Sequence, residues 1–215
     1  MQHDFILVDR SGSMSGIWEE CLSSINAYAK DLAEKRVDTG ITVIAFDENS
    51  GVPTFDTVRD RIIPSTFRPI SVELDGVTPR GMTPLNDAIA KAVALANAGP
   101  VPGQAYDKVA LMIVTDGMEN ASKEYPGDHG RAQVNLLLDA FRAKGWQVIF
   151  IGANFENKAQ AASYNNAGAL TTSVKPGRMG LMSQKLGATR AAYAVGASAD
   201  MSFSDADKEE LNKAS

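Results

Sequence analysis

The sequence predicts an α/β protein: a doubly wound, mostly parallel central sheet with one antiparallel edge strand and helices on both faces. Three observations predict it. Short apolar runs at 5–8, 41–46, 109–114 and 146–151 suit strands buried on both faces. Stretches with apolar residues at helical spacing lie between most of them, which is the pattern of a parallel sheet with covering helices. One pair of runs, 41–46 and 52–58, is joined by Asp47-Glu48-Asn49-Ser50-Gly51, a turn sequence that makes the pair a hairpin.

The first strand holds Phe5, Ile6, Leu7 and Val8 and ends at Asp9. Ile17, Cys21, Ile25, Tyr28 and Leu32 then recur on one face of a helix over 16–36. Ile41 to Phe46 is a β-branched, central second strand. Pro53 marks the following run, 52–58, as a sheet edge. Residues 59–82 show no clear period and contain Pro64 and Pro69, so the expectation there is an irregular connection with one short helical turn. Pro84 starts the next helix with Thr83 before it. A strand over 108–114 repeats the opening design and ends in Thr115-Asp116-Gly117. Polar loop is expected over 118–130, then a helix carrying Val134, Leu137, Leu138 and Phe141, stopped at Gly145. A strand over 146–151, a helix over 156–166, a last strand over 169–174 and a helix over 178–196 complete the pattern. The expected organisation is one domain over 1–197 and a loosely held polar segment over 198–215 with a short helix.

Composition narrows the function classes. The chain has 215 residues, 44% hydrophobic and 22% charged, with a net charge of −5. That charge, without any Lys/Arg cluster, argues against nucleic acid or an anionic membrane as the main partner. Cys21, the single cysteine, sits on the apolar helix face and is expected in the core. The first strand begins almost at Met1 and no apolar run approaches the roughly 18 residues that cross a bilayer. The expected location is therefore the cytoplasm, and Asn120-Ala121-Ser122 carries no meaning as a glycosylation sequon there.

The residues with chemistry stand in three loops. Asp9-Arg10-Ser11-Gly12-Ser13 follows the first strand, Thr83 precedes a helix, and Asp116 ends a later central strand. In a parallel sheet such strand ends share one edge, where ligands bind. One carboxylate and two hydroxyls within five residues suit Mg²⁺, Mn²⁺ or Ca²⁺ rather than zinc or copper. Taken singly, residues 9–13 read equally well as a helix cap, Thr83 reads better as a cap and Asp116 better as a turn residue. In type, order and strand context together, they resemble the metal-ion-dependent adhesion site of the von Willebrand factor A domains: Asp-x-Ser-x-Ser, a distant Thr and a distant Asp. The resemblance covers residues 3–175 and looks like the single-domain bacterial or phage members.

That resemblance implies a Rossmann-like fold and a coordination scheme. Ser11 and Ser13, with or without Thr83, would bind the ion through hydroxyls, and Asp9 and Asp116 would act directly or through water. Mg²⁺ is the expected ion, with Mn²⁺ and Ca²⁺ as alternatives. A partner's Asp or Glu would fill the remaining position, and loops including Met14, Arg80, Met82 and Gly117 would contact that protein. Some intracellular relatives work beside ATPases or in stress-related clusters, which is an analogy for the partner class.

Enzyme readings fare worse. Gly12-Ser13-Met14-Ser15-Gly16 has Met where a nucleophile elbow needs Ser, and Met82 stands where a phosphate loop after Gly76 and Gly81 needs Lys. The two histidines offer little: His3 starts a strand on the wrong edge, and His129 reads as an exposed loop residue. The alternative is a Mg²⁺-dependent phosphoesterase or phosphotransfer enzyme. It would need an in-line nucleophile or base besides the metal ligands, and no Lys stands in a loop that clearly meets the site.

Overall fold

The computed structural model describes residues 1–153, 162–164, 171–175 and 177–212. Among the described residues six strands form one sheet in the order β3-β2-β1-β4-β5-β6. They are β1 (Gln2–Asp9), β2 (Gly40–Asn49), β3 (Val52–Ile62), β4 (Lys108–Thr115), β5 (Gln147–Ala153) and β6 (Thr171–Val174). Every neighbouring pair is parallel except β2 with β3, which is the expected antiparallel edge hairpin. The expected helix over 156–166 falls largely outside the described residues.

Side chains alternate across the sheet, so each strand feeds two cores. Ile6, Val8, Met112, Val114 and Ile149 face one side. There they meet α1 (Trp18–Glu34) and α5 (Met179–Ala194), through residues such as Leu22, Ile25, Met182 and Leu186. Phe5, Leu7, Ile44, Leu111 and Phe150 face the other side. There they meet α3 (Leu85–Ala98) and α4 (Gly127–Arg142), through Ile89, Val93, Val134 and Leu138. Cys21 is buried in the first core, as its position on α1 requires.

Several boundaries differ from expectation for physical reasons. The edge strand β3 runs on to Ile62 because its charged residues have room at the sheet's rim, where Arg61 donates to the Pro100 carbonyl at 3.0 Å. Beyond it, a 3-10 turn (Pro64–Thr66) and a one-turn helix α2 (Val72–Asp75) are held by polar side chains rather than by an apolar stripe. Arg59 donates to both Asp75 oxygens, at 2.7 and 3.1 Å, and to the carbonyls of Arg68 and Pro69. Asn26 of α1 exchanges two bonds with the Ile70 backbone. His129 lies in the first turn of α4 rather than in a loop.

Over 198–212 the C-terminal segment is packed on the fold rather than loosely held. Met201, Phe203 and Leu211 are buried in the first core, and α6 (Asp205–Asn212) is clamped by Lys185 of α5 to Asp207 and Glu210.

At the amino-terminal edge of the strands, Arg190 of α5 donates to Asp4 of β1 at 2.6 Å, both fully buried. Tyr28 donates to the other Asp4 oxygen at 2.9 Å, and Arg190 also reaches Gln2 and Thr39. Removing one partner strands the other charge in the core, so Arg190→Met should cost about 3–5 kcal/mol, measured by urea unfolding.

Strand order reverses between β1 and β4. From β1 the chain crosses to β2 on one side, and β4 lies on the other. The crevice outside the carboxyl ends of β1 and β4 is thus the topological switch point, where an open α/β sheet receives ligands.

Candidate metal centre

Register brings two acids to that crevice. Val8 lies beside Val114, so Asp9, the last residue of β1, and Asp116, just after β4, stand at the ends of adjacent strands. The chain after Asp9 turns at once: the Ser11 N–H donates to Asp9 Oδ1 at 2.8 Å, and Gly12–Gly16 forms a 3-10 turn. Asp9 Oδ2 accepts from the Thr115 hydroxyl at 2.6 Å. Ser11 Oγ and Ser13 Oγ are 3.1 Å apart, and Ser13 Oγ donates to Asp116 Oδ1 at 2.8 Å. Ser11, Ser13 and Asp116 are therefore joined through short oxygen–oxygen contacts, and Asp9 is tied to them by the Ser11 N–H.

Thr83 completes the group from a third loop. A methyl placed on Gly117 would lie 3.2 Å from Thr83 Oγ1, 3.6 Å from Asp9 Oδ2 and 3.7 Å from Ser13 Oγ. One point in space is thus bordered by oxygens from all three loops. The absence of a side chain at Gly117 keeps it open. Gly117→Ala should therefore weaken divalent-ion binding by about tenfold or more while leaving the fold intact, read by titration calorimetry with thermal unfolding as the control.

The three loops are tied to one another. Gly12 N–H donates to the Gly81 carbonyl at 3.1 Å, Arg80 N–H to the Arg10 carbonyl at 2.8 Å, and Glu48 N–H to the Met82 carbonyl at 2.9 Å. Gly81 has φ +60°, and a Cβ there would lie 1.6 Å from the Glu48 carbonyl oxygen, so no other residue fits this crossing. On the other side, Thr83 N–H donates to Asn120 Oδ1 at 2.8 Å and Asn120 N–H returns a bond to the Thr83 carbonyl at 3.1 Å. Glu119 accepts from the backbone of Asn86, Ala121 and Ser122, pinning the loop after Asp116 to the start of α3.

Sequence reasoning missed the residue beneath this crossing. Asp47 is fully buried at the end of β2, where the sequence reads only as a turn. Its Oδ2 accepts from Arg10 Nε at 2.7 Å and from Arg80 Nε at 2.8 Å, and Thr54 donates to its Oδ1. Arg10 follows Asp9, and Arg80 lies three residues before Thr83, so one carboxylate gathers two of the three loops. Asp56 shares Arg10 at 2.6 Å. Glu119, Asn120 and Thr115 were likewise invisible as supports, because their partners are distant in sequence or are backbone groups.

The contact residues expected around the site divide. Arg80 is partly exposed but committed to Asp47, and Met82 is exposed beside Thr83. Met14 is a correction: it is 0% exposed, because the 3-10 turn points it inward to the core against α1. It cannot touch a partner.

Electrostatics favours a cation here. Burial pushes the Asp9 carboxyl up from its ordinary value of 3.8 to about 6, against the bonds from Thr115 and Ser11 and with a smaller push from Asp116. Burial also raises Asp116. Among the described residues no Lys, Arg or His forms an ion pair with either acid, since Arg10 and Arg80 are turned to Asp47 and Asp56. Two partly desolvated carboxylates and three hydroxyls, with no cationic side chain between them, fit a hard divalent ion. Among the described residues no three His, Cys, Asp or Glu side chains gather to hold a metal, so a zinc-type ligand set is not what this site resembles. His3 is far from this edge, buried and held neutral by a value lowered to about 4, chiefly through burial.

No family model and no curated protein matches the chain. Solved structures do. The PilB minor pilin from Streptococcus sanguinis superposes with TM-score 0.65 at 13% identity, covering 92% of this chain and 63% of that one. A von Willebrand factor type A protein from Catenulispora acidiphila gives TM-score 0.55 at 14% identity, covering 89% of this chain and 43% of that one. Proximal thread matrix protein 1 from the mussel byssus, with a zinc-occupied MIDAS motif, gives TM-score 0.56 at 16% identity, covering 89% and 48%. The chain thus spans about half the length of these structures, and identities this low speak to fold alone. No helix among the described residues is long and apolar enough to cross a membrane. The chain has an α/β fold of the von Willebrand factor A kind, with its candidate metal centre at the switch point of the sheet.

Proposed function

We propose that the chain is a metal-dependent protein-interaction module, not an enzyme. In this reading it holds Mg²⁺ through Asp9, Ser11, Ser13, Thr83 and Asp116 and captures a partner's Asp or Glu as the last ligand. The observation that carries the reading is that oxygens of Thr83, Asp9 and Ser13 border the open point beside Gly117, with Ser11 and Asp116 in contact with Ser13. Where hydroxyls bind the ion directly and Asp9 and Asp116 act through water, its charge is offset only at a distance, and the open position attracts an outside anion. The likeness to a structure with a metal-occupied MIDAS motif supports a divalent ion, and the hard oxygen donors support magnesium over zinc. The loops that would frame the partner are those holding Arg80, Met82 and Gly117. The cytoplasmic location read from the sequence is part of this proposal.

The test is capture by the tagged chain from a lysate of its native host. Proteins retained in Mg²⁺ should be released by EDTA, and Thr83→Ala should weaken capture more than it weakens Mg²⁺ binding. Capture that is equally strong with chelator would overturn ion-mediated recognition. Turnover of simple phosphoesters with added Mg²⁺, abolished by Asp9→Ala, would replace binding with hydrolysis.

A further inference from the structure

We infer that the partner segment carries a large apolar side chain next to its coordinating Asp or Glu, and that Met82 and Met118 receive it. This rests on the ion-mediated reading above and adds a second determinant to it. The chain has eight methionines. Five of them, Met14, Met112, Met179, Met182 and Met201, are buried in the core. Of the three exposed ones, Met1 is the first residue, and the other two stand on the ligand loops. Met82 immediately precedes Thr83 and is 47% exposed; Met118 follows Asp116 by two residues and is 69% exposed.

Their exposure is not the result of slack loops. The Thr83–Asn120 pair of hydrogen bonds joins the two segments, and Glu119, next to Met118, is fixed by four bonds to Asn86, Ala121 and Ser122. Met82 is held on its other side by the bond from Glu48 N–H to its carbonyl. Two thioether side chains are therefore exposed on hydrogen-bonded segments next to Thr83 and Asp116. An unbranched, polarizable side chain can mould itself to a varied apolar surface, which suits the rim of a recognition site. An acid entering the ion's open position brings its neighbouring residue to this rim, and a carboxylate alone would leave both methionines in water. The fitting occupant is an extended segment with Asp or Glu beside Leu, Ile, Phe or Met: the charge meets the ion, and the apolar side chain meets the pair.

A displayed random-peptide library tests this, selected on the full chain in Mg²⁺ and eluted with EDTA. The expected result is enrichment of Asp or Glu with an adjacent large apolar residue. A synthetic peptide of that sequence should bind the Met82→Ser/Met118→Ser double variant about tenfold or more weakly, with Mg²⁺ affinity unchanged. Acid-bearing peptides with polar or charged neighbours, or equal binding by the double variant, would overturn the methionine assignment and leave the ion-mediated reading standing. Acid-free peptides that stay bound through the EDTA elution, with none released by it, would sink both.

Discussion

Asp9→Asn is expected to abolish Mg²⁺ binding and, in the same protein without metal, to raise stability at pH 7.5. The two effects share one cause. Asp9 is buried and carries a carboxyl whose value is raised to about 6, so above that pH the metal-free fold holds a charge it would rather hold as an acid. A rise from 3.8 to about 6 corresponds to about 3 kcal/mol of lost stability once the group is fully ionised. Asn removes the charge and keeps the shape. Its carbonyl can accept from Ser11 N–H, and its amide can donate to Thr115 Oγ1, whose own proton can turn to the Gly117 carbonyl 3.2 Å away. The expected gain is about 1–3 kcal/mol at pH 7.5, read by urea unfolding in EDTA.

The sign follows from linkage. A raised value in the folded state means the fold binds the proton more tightly than the unfolded chain does. Stability from this group therefore grows as pH falls from about 6 toward 4, and the advantage of the Asn variant vanishes over that same window. In the proposed reading magnesium competes with the same proton. Thermal stabilisation of the natural chain by Mg²⁺ should be large at pH 7.5 and nearly gone at pH 5, while the Asn variant responds at neither. If Mg²⁺ raises the midpoint of the variant as it does that of the natural chain, Asp9 is not a ligand.

Much of this site could be read from the chain alone because its parts are local in sequence. An apolar run that stops at an acid announces both the strand and the position of the acid at its end, and β1 and β4 do this alike at Asp9 and Asp116. The hairpin was legible because turn residues sit between two β-rich runs. What was not legible is held by partners distant in sequence. Asp47 looks like a turn residue until Arg10 and Arg80, 37 and 33 residues away, are seen to converge on it. Met14 sits among polar loop residues, and only the 3-10 turn shows that it faces inward. Met201, Phe203 and Leu211 are too few to set a helical or strand period, so nothing local tells that they join the first core. The start of α4 at Gly127 is similarly hidden, because Gly127 and Gly130 disfavour a helix by propensity. Its backbone packs so closely at Gly130 that a Cβ would lie 2.0 Å from the Tyr125 carbonyl, and this contact selects glycine there.

The second large effect is expected at Asp47, which touches no ligand oxygen in the structure. Asp47→Asn should lower Mg²⁺ affinity about 10- to 100-fold, the range seen when a residue that orients metal ligands is lost. It should also cost about 2–4 kcal/mol of stability, because Arg10 is buried and its Nε loses a charged acceptor, with only Asp56 left to balance it. Loss of stability alone could weaken any ligand, so the comparison that decides is Arg190→Met. That substitution breaks a buried ion pair of similar cost at the opposite edge of the sheet, through Asp4 and β1, and leaves the loop crossing untouched. The two variants should unfold at similar urea concentrations, yet only Asp47→Asn should lose ion affinity under native conditions. Equal Mg²⁺ affinities in both would mean that the ligand loops hold their places through Gly12, Gly81 and Asn120 alone, and that the buried carboxylate serves the fold and not the ion.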